Sequence, residues 1–307
     1  MNSRPIYILC VYLFVFLQSN MCSSNYIIGE CDEGLSNRLR VLLSLMHASH
    51  VLHNNSNIMM VWDVNDACPG HFLQLYQPIK KVTFITSATK SIFAPNATKV
   101  YPITSMGIRQ FCETYDIKYR FKLDSQLWAL LTPIQSIEDQ VNDYVDRNNI
   151  CSITAMHIRK TDLEDRLLAK RRTAIQKFFD WVESQPPAEP VYLLTDNPET
   201  QLLFLRKYGI EKIKVFKIFT QLDLQRPIND TTKLVLARKI QNSRNHSYNS
   251  SSSHLAPSHR YTTLEHTLID ALIASRSRKF RISAFSSLSE YIEFIRRLNR
   301  FKWCGRW

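Results

Sequence analysis

Glycine is scarce in this chain, six among 307 residues, and no Gly-x-Gly-x-x-Gly run occurs. The dinucleotide-binding fingerprint, a phosphate cradle built from glycine backbone, is therefore absent. No Cys-x-x-Cys or His-x-x-x-His spacing occurs, which leaves little support for a zinc site. There is no Asp-x-Asp pair to chelate a metal ion together with a diphosphate. No two carboxylates stand as evident partners for acid–base hydrolysis, and no internal repeat is found. The long apolar run, residues 6–17, is too short for an ordinary membrane span and suits the core of a signal peptide. Arg4 precedes it, and Cys22-Ser-Ser offers small residues for cleavage. Residues 1–24 are expected to be a signal peptide or a short type II membrane anchor, and they take no part in the fold.

What is present suffices for a packed protein. Hydrophobic residues make up 45% of the chain and aromatic residues 11%, enough for a sizeable core in one large domain or two modest ones. Five Asn-x-Ser/Thr sequons follow the leader, at Asn54, Asn96, Asn229, Asn245 and Asn249. Together with the leader they point to a glycosylated protein of the secretory pathway, in the ER or Golgi lumen or secreted. That compartment permits disulfides among Cys31, Cys68, Cys112, Cys151 and Cys304, with the pairing left open. The net charge of +12 reads either as a solvated basic surface or as attraction for an anionic partner. A nucleotide sugar, an acidic glycan or a membrane surface fits the compartment, and nucleic acid does not.

The pattern of elements alternates. Residues 26–30 read as a strand, a helix follows from about 36 to 52, and a second strand lies near 58–62. Residues 80–150 mix short strands and helices in an order the pattern does not resolve. Strands are expected near 152–158, 190–195, 213–217 and 279–283, and helices near 163–184, 198–207, 264–275 and 288–298. Strands separated by helical patterns indicate βαβ units and parallel sheets. The two halves are expected to meet near Asn148-Asn149, as domains 25–149 and 150–307. Residues 241–259, rich in serine and asparagine, read as a flexible surface insertion.

Four segments carry the chemistry. In Asp32-Glu33-Gly34-Leu-Ser-Asn37-Arg38, a glycine between strand and helix lets the backbone approach a ligand at a helix N-terminus. Ser36 or Asn37 serves equally as a plain N-cap. Glu33 is a candidate to take a proton from an acceptor hydroxyl, or an exposed loop acid. In His157-Ile-Arg159-Lys160-Thr-Asp162, His157 and Arg159 share one face of a strand at its carboxyl end, and the arginine fork suits a pyrophosphate. Asp162 is an N-cap, a ligand contact, or both. Thr195-Asp196-Asn197-Pro198 starts a helix by capping alone, or contacts a base or ribose. Finally, Asp270 lies on an amphipathic helix, and Ser286-Ser287-Leu-Ser289 offers hydroxyls and free N–H groups at the next helix start.

In this order these segments resemble the fucosyltransferase superfamily, which includes protein O-fucosyltransferases, α1,6-fucosyltransferases and the bacterial nodulation fucosyltransferases. Gly34-Leu-Ser-Asn37-Arg38 is similar to the family's Gly-x-x-Asn loop. His157-Ile-Arg159-Lys160-Thr-Asp162 is similar to its His-x-Arg-Arg-x-Asp motif, with Lys160 where a second arginine often stands. Leu194-Thr195-Asp196, Asp270 and Ser286-Ser287-Leu-Ser289 match its later motifs. The resemblance implies a GT-B fold, two Rossmann-like domains facing across a cleft, with an N-terminal acceptor-side half and a C-terminal donor half. It implies GDP-fucose as donor, a glycan or protein hydroxyl as acceptor, inversion at the anomeric carbon and no essential metal or cofactor. It further implies that Arg159 neutralises the β-phosphate, and that Asn37 and His157 contact the donor from either side. Asp196 with Thr195 would meet the nucleoside, Ser286 and Ser287 the phosphates, and Glu33 would be the base. Gly34, Arg38, Asp162 and Asp270 complete the implied donor site. The alternative is a secreted glycan-binding or catalytically inactive relative of the same fold.

Overall fold

The computed structural model describes residues 25–65, 67–101, 108–159, 175–219, 262–283 and 286–299. The expected leader, the insertion at 241–259, the side chains of Lys160 and Asp162 and the first part of the helix expected after them lie outside these residues. The chain divides into two compact units. One comprises Met1–Cys31, Asn37–Asp63 and Pro78–Leu127, the other Asp32–Ser36, Val64–Gln77 and Trp128–Trp307.

The first unit is built on a parallel sheet of β1 (Tyr26–Glu30), β2 (Asn57–Val61), β3 (Val82–Ile85) and β4 (Lys99–Tyr101), in the order β3-β2-β1-β4. Helix α1 (Leu35–Leu52) joins β1 to β2, and α2 (Ser87–Phe93) follows β3. Side chains alternate across a strand, and both faces of β1 are used. Tyr26 and Ile28 join Met59 and Val61 in a core closed by Phe93 and Val100. The opposite face receives Leu45 of α1 so closely that a Cβ added to Gly29 would lie 2.9 Å from Leu45 Cγ. Gly29 is thus required by packing. Helices α3 (Ile108–Thr114) and α4 (Phe121–Trp128) complete the described part of this region, the last residue of α4 falling in the second unit.

The second unit repeats the plan. Its sheet is β5 (Thr154–Ile158), β6 (Val191–Thr195), β7 (Ile213–Lys214) and β8 (Lys279–Arg281), parallel throughout and ordered β7-β6-β5-β8. The helices are α5 (Gln135–Arg147), α6 (Ile175–Glu183), α7 (Pro198–Lys212), α8 (Leu264–Ser275) and α9 (Ser287–Asn299). Met156, Ile158, Val191 and Leu193 pack with Phe178, Phe179 and Val182 of α6 and Phe204 of α7. Burying each such side chain is worth about 1.5–3 kcal/mol. The residues between them, His157, Tyr192 and Leu194, belong to the other face. Arg276, at the end of α8, donates to Asn142 Oδ1 and to Glu138 Oε2, tying α8 to α5.

Counted within each unit, both sheets have the strand order 3-2-1-4. This is half of a doubly wound sheet, and its chain direction switches between the first and fourth strands. In the second unit the switch lies between β5 and β8, and ligands of open α/β sheets sit outside the carboxyl ends at that point.

Several expected boundaries move. The strand expected at 213–217 is two residues long. The helix from 198 runs on to Lys212 through a kink at Gly209, whose φ of 79° lies in the left-handed region. The strand expected at 279–283 stops at Arg281, because the N–H of Ser283 donates to a side chain, Ser289 Oγ, and not to a neighbouring strand. Cys151 is disulfide-bonded, whereas Cys31, Cys68 and Cys112 are in the thiol form.

Candidate functional site

Two chain ends meet at the switch between β5 and β8. His157 is the fourth residue of β5 and Arg159 follows the strand. After β8 the chain passes Ser283 and enters α9 at Ser286 and Ser287. Serine hydroxyls bind these ends together. The backbone N–H of Arg159 donates to Ser283 Oγ at 3.3 Å, and the N–H of Ser283 donates to Ser289 Oγ at 3.0 Å. Ser289 Oγ also lies 2.7 Å from His157 Nδ1, and the N–H of Ser289 donates to Ser286 Oγ at 3.3 Å. Ser283, Ser286, Ser289 and His157 are all buried.

The network fixes the histidine's chemistry. Burial pushes His157 down to about pKa 3, and the charge of Arg159 pushes the same way. His157 is therefore a neutral imidazole at pH 7. Ser289 Oγ already accepts one N–H, and its own hydrogen is available to Nδ1. That arrangement accommodates the tautomer with the ring proton on Nε2, in which His157 is an uncharged donor. Arg159 keeps the positive charge. The start of α9 adds backbone N–H groups and the positive end of a helix dipole. A cavity of about 360 Å³ opens beside the hydroxyls, lined by Ile282, Ser283, Ser286, Ser289, Glu290 and Phe294 among others. The charged residues of its lining are Glu290, Glu293 and Arg297, while Arg159 and the N–H groups at the start of α9 are groups that can meet a phosphate-bearing ligand.

The neighbouring strand end is organised differently. Thr195 is buried, and its Oγ1 accepts from the N–H of Asn197 at 3.3 Å. Asn197 Oδ1 caps α7 through the N–H of Thr200 at 2.7 Å, and Pro198 opens the helix. Asp196, half-buried, stands between them. Three residues before Thr195 and on the other face of β6, the Tyr192 hydroxyl donates to Asp270 Oδ1 of α8. Burial raises Asp270 to about pKa 7, and the tyrosine's hydrogen bond opposes the rise.

At the first motif, Glu33 and Gly34 are half-buried, as is Asn37, whose Oδ1 accepts a long 3.4 Å bond from Arg40. Asn65 Nδ2 donates to the Asp32 carbonyl at 2.8 Å and steadies that loop. Arg38 is fully buried. It donates to the Asp63 carbonyl at 2.6 Å, and its guanidinium lies 5.2 Å from the Trp62 ring centre. These contacts give Arg38 a clear structural task at the end of β2.

The structure brings His157, Arg159 and Ser286 of the expected residues into one network, with Ser287 next in line at the helix start. Asp270 is joined instead to Tyr192. Asp162 lies outside the described residues. Ser283 was not among the residues singled out from the sequence, though serines at 283, 286 and 289 form a three-residue rhythm that sequence displays. Tyr192 gave no signal, since a tyrosine in an apolar strand reads as core. Among the described residues no cluster of histidine, cysteine, aspartate or glutamate is arranged to hold a metal ion.

No family model and no curated protein sequence matches this chain. Solved structures do match its fold. The α1,6-fucosyltransferase NodZ co-crystallised with GDP superposes with a TM-score of 0.51 at 11% identity, over 88% of this chain and 92% of NodZ. NodZ soaked with GDP-fucose gives 0.51 at 11%, over 89% and 93%. The selenomethionine form from Bradyrhizobium gives 0.53 at 10%, over 88% and 92%. The chain has the GT-B fold of the fucosyltransferases. In that fold the expected α/β class, with two Rossmann-like parallel sheets, is met by the four strands of each unit.

Proposed function

We propose that this protein is an inverting, metal-independent glycosyltransferase that moves fucose from GDP-fucose to a hydroxyl of a glycan or protein. The observation that carries the reading is the serine-linked junction of Arg159, His157 and the start of α9 at the switch point of the second sheet. A fold shared with NodZ, which has been co-crystallised with GDP and soaked with GDP-fucose, supports the choice of donor.

The chemistry follows from the charges. As the acceptor oxygen bonds to the sugar's anomeric carbon, the bond from that carbon to the β-phosphate oxygen breaks. The electron pair leaves with GDP, and the acceptor proton passes to a base, for which Glu33 is the candidate. Arg159 and the N–H groups at the start of α9 stabilise the charge that grows on the leaving diphosphate. His157 adds a neutral hydrogen bond, and Asn37 approaches the donor from the Gly34 loop. Asp196 with Thr195 meets the nucleoside, Ser286 and Ser287 the phosphates. In this reading residues 150–307 form the donor half and residues 25–149 the acceptor half.

The test is calorimetric titration of the wild type and Arg159→Ala with GDP and GDP-fucose, with and without EDTA, followed by a fucosyl-transfer assay. A charge-assisted hydrogen bond is worth roughly 1.5–3 kcal/mol, so Arg159→Ala should weaken binding about ten- to a hundredfold. Folded wild-type protein that binds neither ligand would end the proposal. Binding that EDTA abolishes would end its metal-independent part.

A further inference from the structure

The first unit carries two of the five sequons within the described residues, Asn54-Asn-Ser56 and Asn96-Ala-Thr98. Both asparagines are exposed. Both also occupy equivalent places in the sheet. Asn54 lies in the turn that leads into the amino end of β2, where the N–H of Asn57 donates to the Asn25 carbonyl at 3.0 Å. Asn96 ends the short turn that leads into the amino end of β4, where the N–H of Thr98 donates to the Tyr26 carbonyl at 2.9 Å. In a parallel sheet these two turns share one end. The Gly34 loop leaves β1 at the other end, as does Asp63 from β2.

The same end of the sheet carries two exposed apolar side chains. Leu52, at the close of α1, is 50% exposed, and Ile92 of α2 is 44% exposed. Among the described residues these are the exposed large hydrophobic side chains of the first unit. Each stands within four residues of a sequon asparagine. Scattered apolar side chains are ordinary on a protein surface. Here each coincides with an acceptor site for a bulky hydrophilic group.

We propose that Asn54 and Asn96 carry N-linked oligosaccharides, and that these sugars cover Leu52 and Ile92 at the amino end of the first sheet. In the transfer, the side-chain amide nitrogen bonds to the anomeric carbon of a polyprenyl-diphosphate-linked oligosaccharide. The carbon–oxygen bond to the diphosphate breaks, the lipid diphosphate leaves with the electron pair, and the amide gives up one proton. In the folded chain Ser56 is buried and donates to the His53 carbonyl, whereas Thr98 is exposed. Transfer to Asn54 therefore precedes closure of its turn. Glycans on this end leave the Gly34 loop clear.

The test is expression of the full chain in a eukaryotic secretory cell, with Asn54→Gln, Asn96→Gln and the double variant. Peptide-N-glycosidase treatment, gel mobility and mass mapping of the released asparagines are the readouts. The expected result is one glycan lost in each single variant and two in the double variant. The double variant should bind GDP-fucose as the wild type does yet sediment as aggregate, and adding Leu52→Ser and Ile92→Ser should restore its solubility. Glycans confined to other asparagines, or none at all, would overturn the assignment. Equal solubility of the wild type and double variant would overturn the covering role.

Discussion

His157 Nδ1 and Ser289 Oγ lie 2.7 Å apart, and this single contact joins the end of β5 to the first turn of α9. Ser289→Ala removes the partner of His157 and the acceptor of the Ser283 N–H together. Leaving a buried polar group unpaired costs about 1–3 kcal/mol. The variant is expected to melt several degrees lower, at about 2–4 °C per kcal/mol for a domain of this size class. Differential scanning calorimetry checks it, and an unchanged melting temperature would show that water replaces the hydroxyl.

Ser283→Ala tests position more than stability. Ser283 Oγ accepts from the backbone N–H of Arg159, so its loss frees the arginine's main chain rather than its charge. The expected outcome is a KM for GDP-fucose raised about three- to tenfold, the range of one net hydrogen bond of about 0.5–1.5 kcal/mol. Ser283→Thr, which keeps the hydroxyl, should recover most of the loss. A threonine variant as weak as the alanine variant would point to packing and not to the bond.

His157 and Asp270 tilt the pH dependence of stability in opposite directions. His157 falls to about pKa 3 on folding, so between about pH 3 and 6.5 the unfolded chain binds more protons and stability rises with pH. Asp270 rises to about 7, so between about pH 4 and 7 the folded chain holds the extra proton and stability falls with pH. Their contributions offset each other over the shared window. Asp270→Asn is expected to leave the histidine's rising slope exposed, and His157→Gln the aspartate's falling one. Urea unfolding at pH 4.5, 5.5 and 6.5 reads both. Parallel profiles for the two variants would show that neither group titrates as its burial implies.

Gly29→Ala is expected to destabilise the first unit by about 1–3 kcal/mol, the usual cost of overpacking. The added methyl meets the fully buried Leu45, whose side chain has no open side to retreat to. The double variant Gly29→Ala, Leu45→Ala should recover part of that loss while introducing a cavity of its own. Chemical denaturation of the three variants decides, and a neutral Gly29→Ala would mean that α1 shifts freely on the sheet.

The sequence made the second sheet legible because its strands are short apolar runs ending in polar groups. Val191 to Thr195 and the residues before His157 could hardly be anything else. The network at their ends was partly legible too, since His157, Arg159 and Ser286 are polar residues placed near where apolar strands stop. Residues 80–150 were not ordered by pattern. There the strands Val82–Ile85 and Lys99–Tyr101 are half-exposed edge strands, too short for their alternation to stand out. The contacts of Arg38 were not legible, because nothing local announces a carbonyl and an indole waiting for it at the end of β2. The pairing of Tyr192 with Asp270 joins residues far apart in the chain, which no spacing can reveal.

A buried imidazole that stays neutral makes one contact of this site nearly deaf to acidification. From pH 8 to pH 5 His157 gains no charge, so at this contact a change in affinity comes from the ligand. A terminal phosphate takes up its second proton near about pH 6, whereas a diphosphate blocked by a sugar has no such proton to gain. In the proposed reaction, spent GDP would therefore lose grip at mildly acidic pH while the intact sugar nucleotide kept it, and product inhibition would ease as the pH falls.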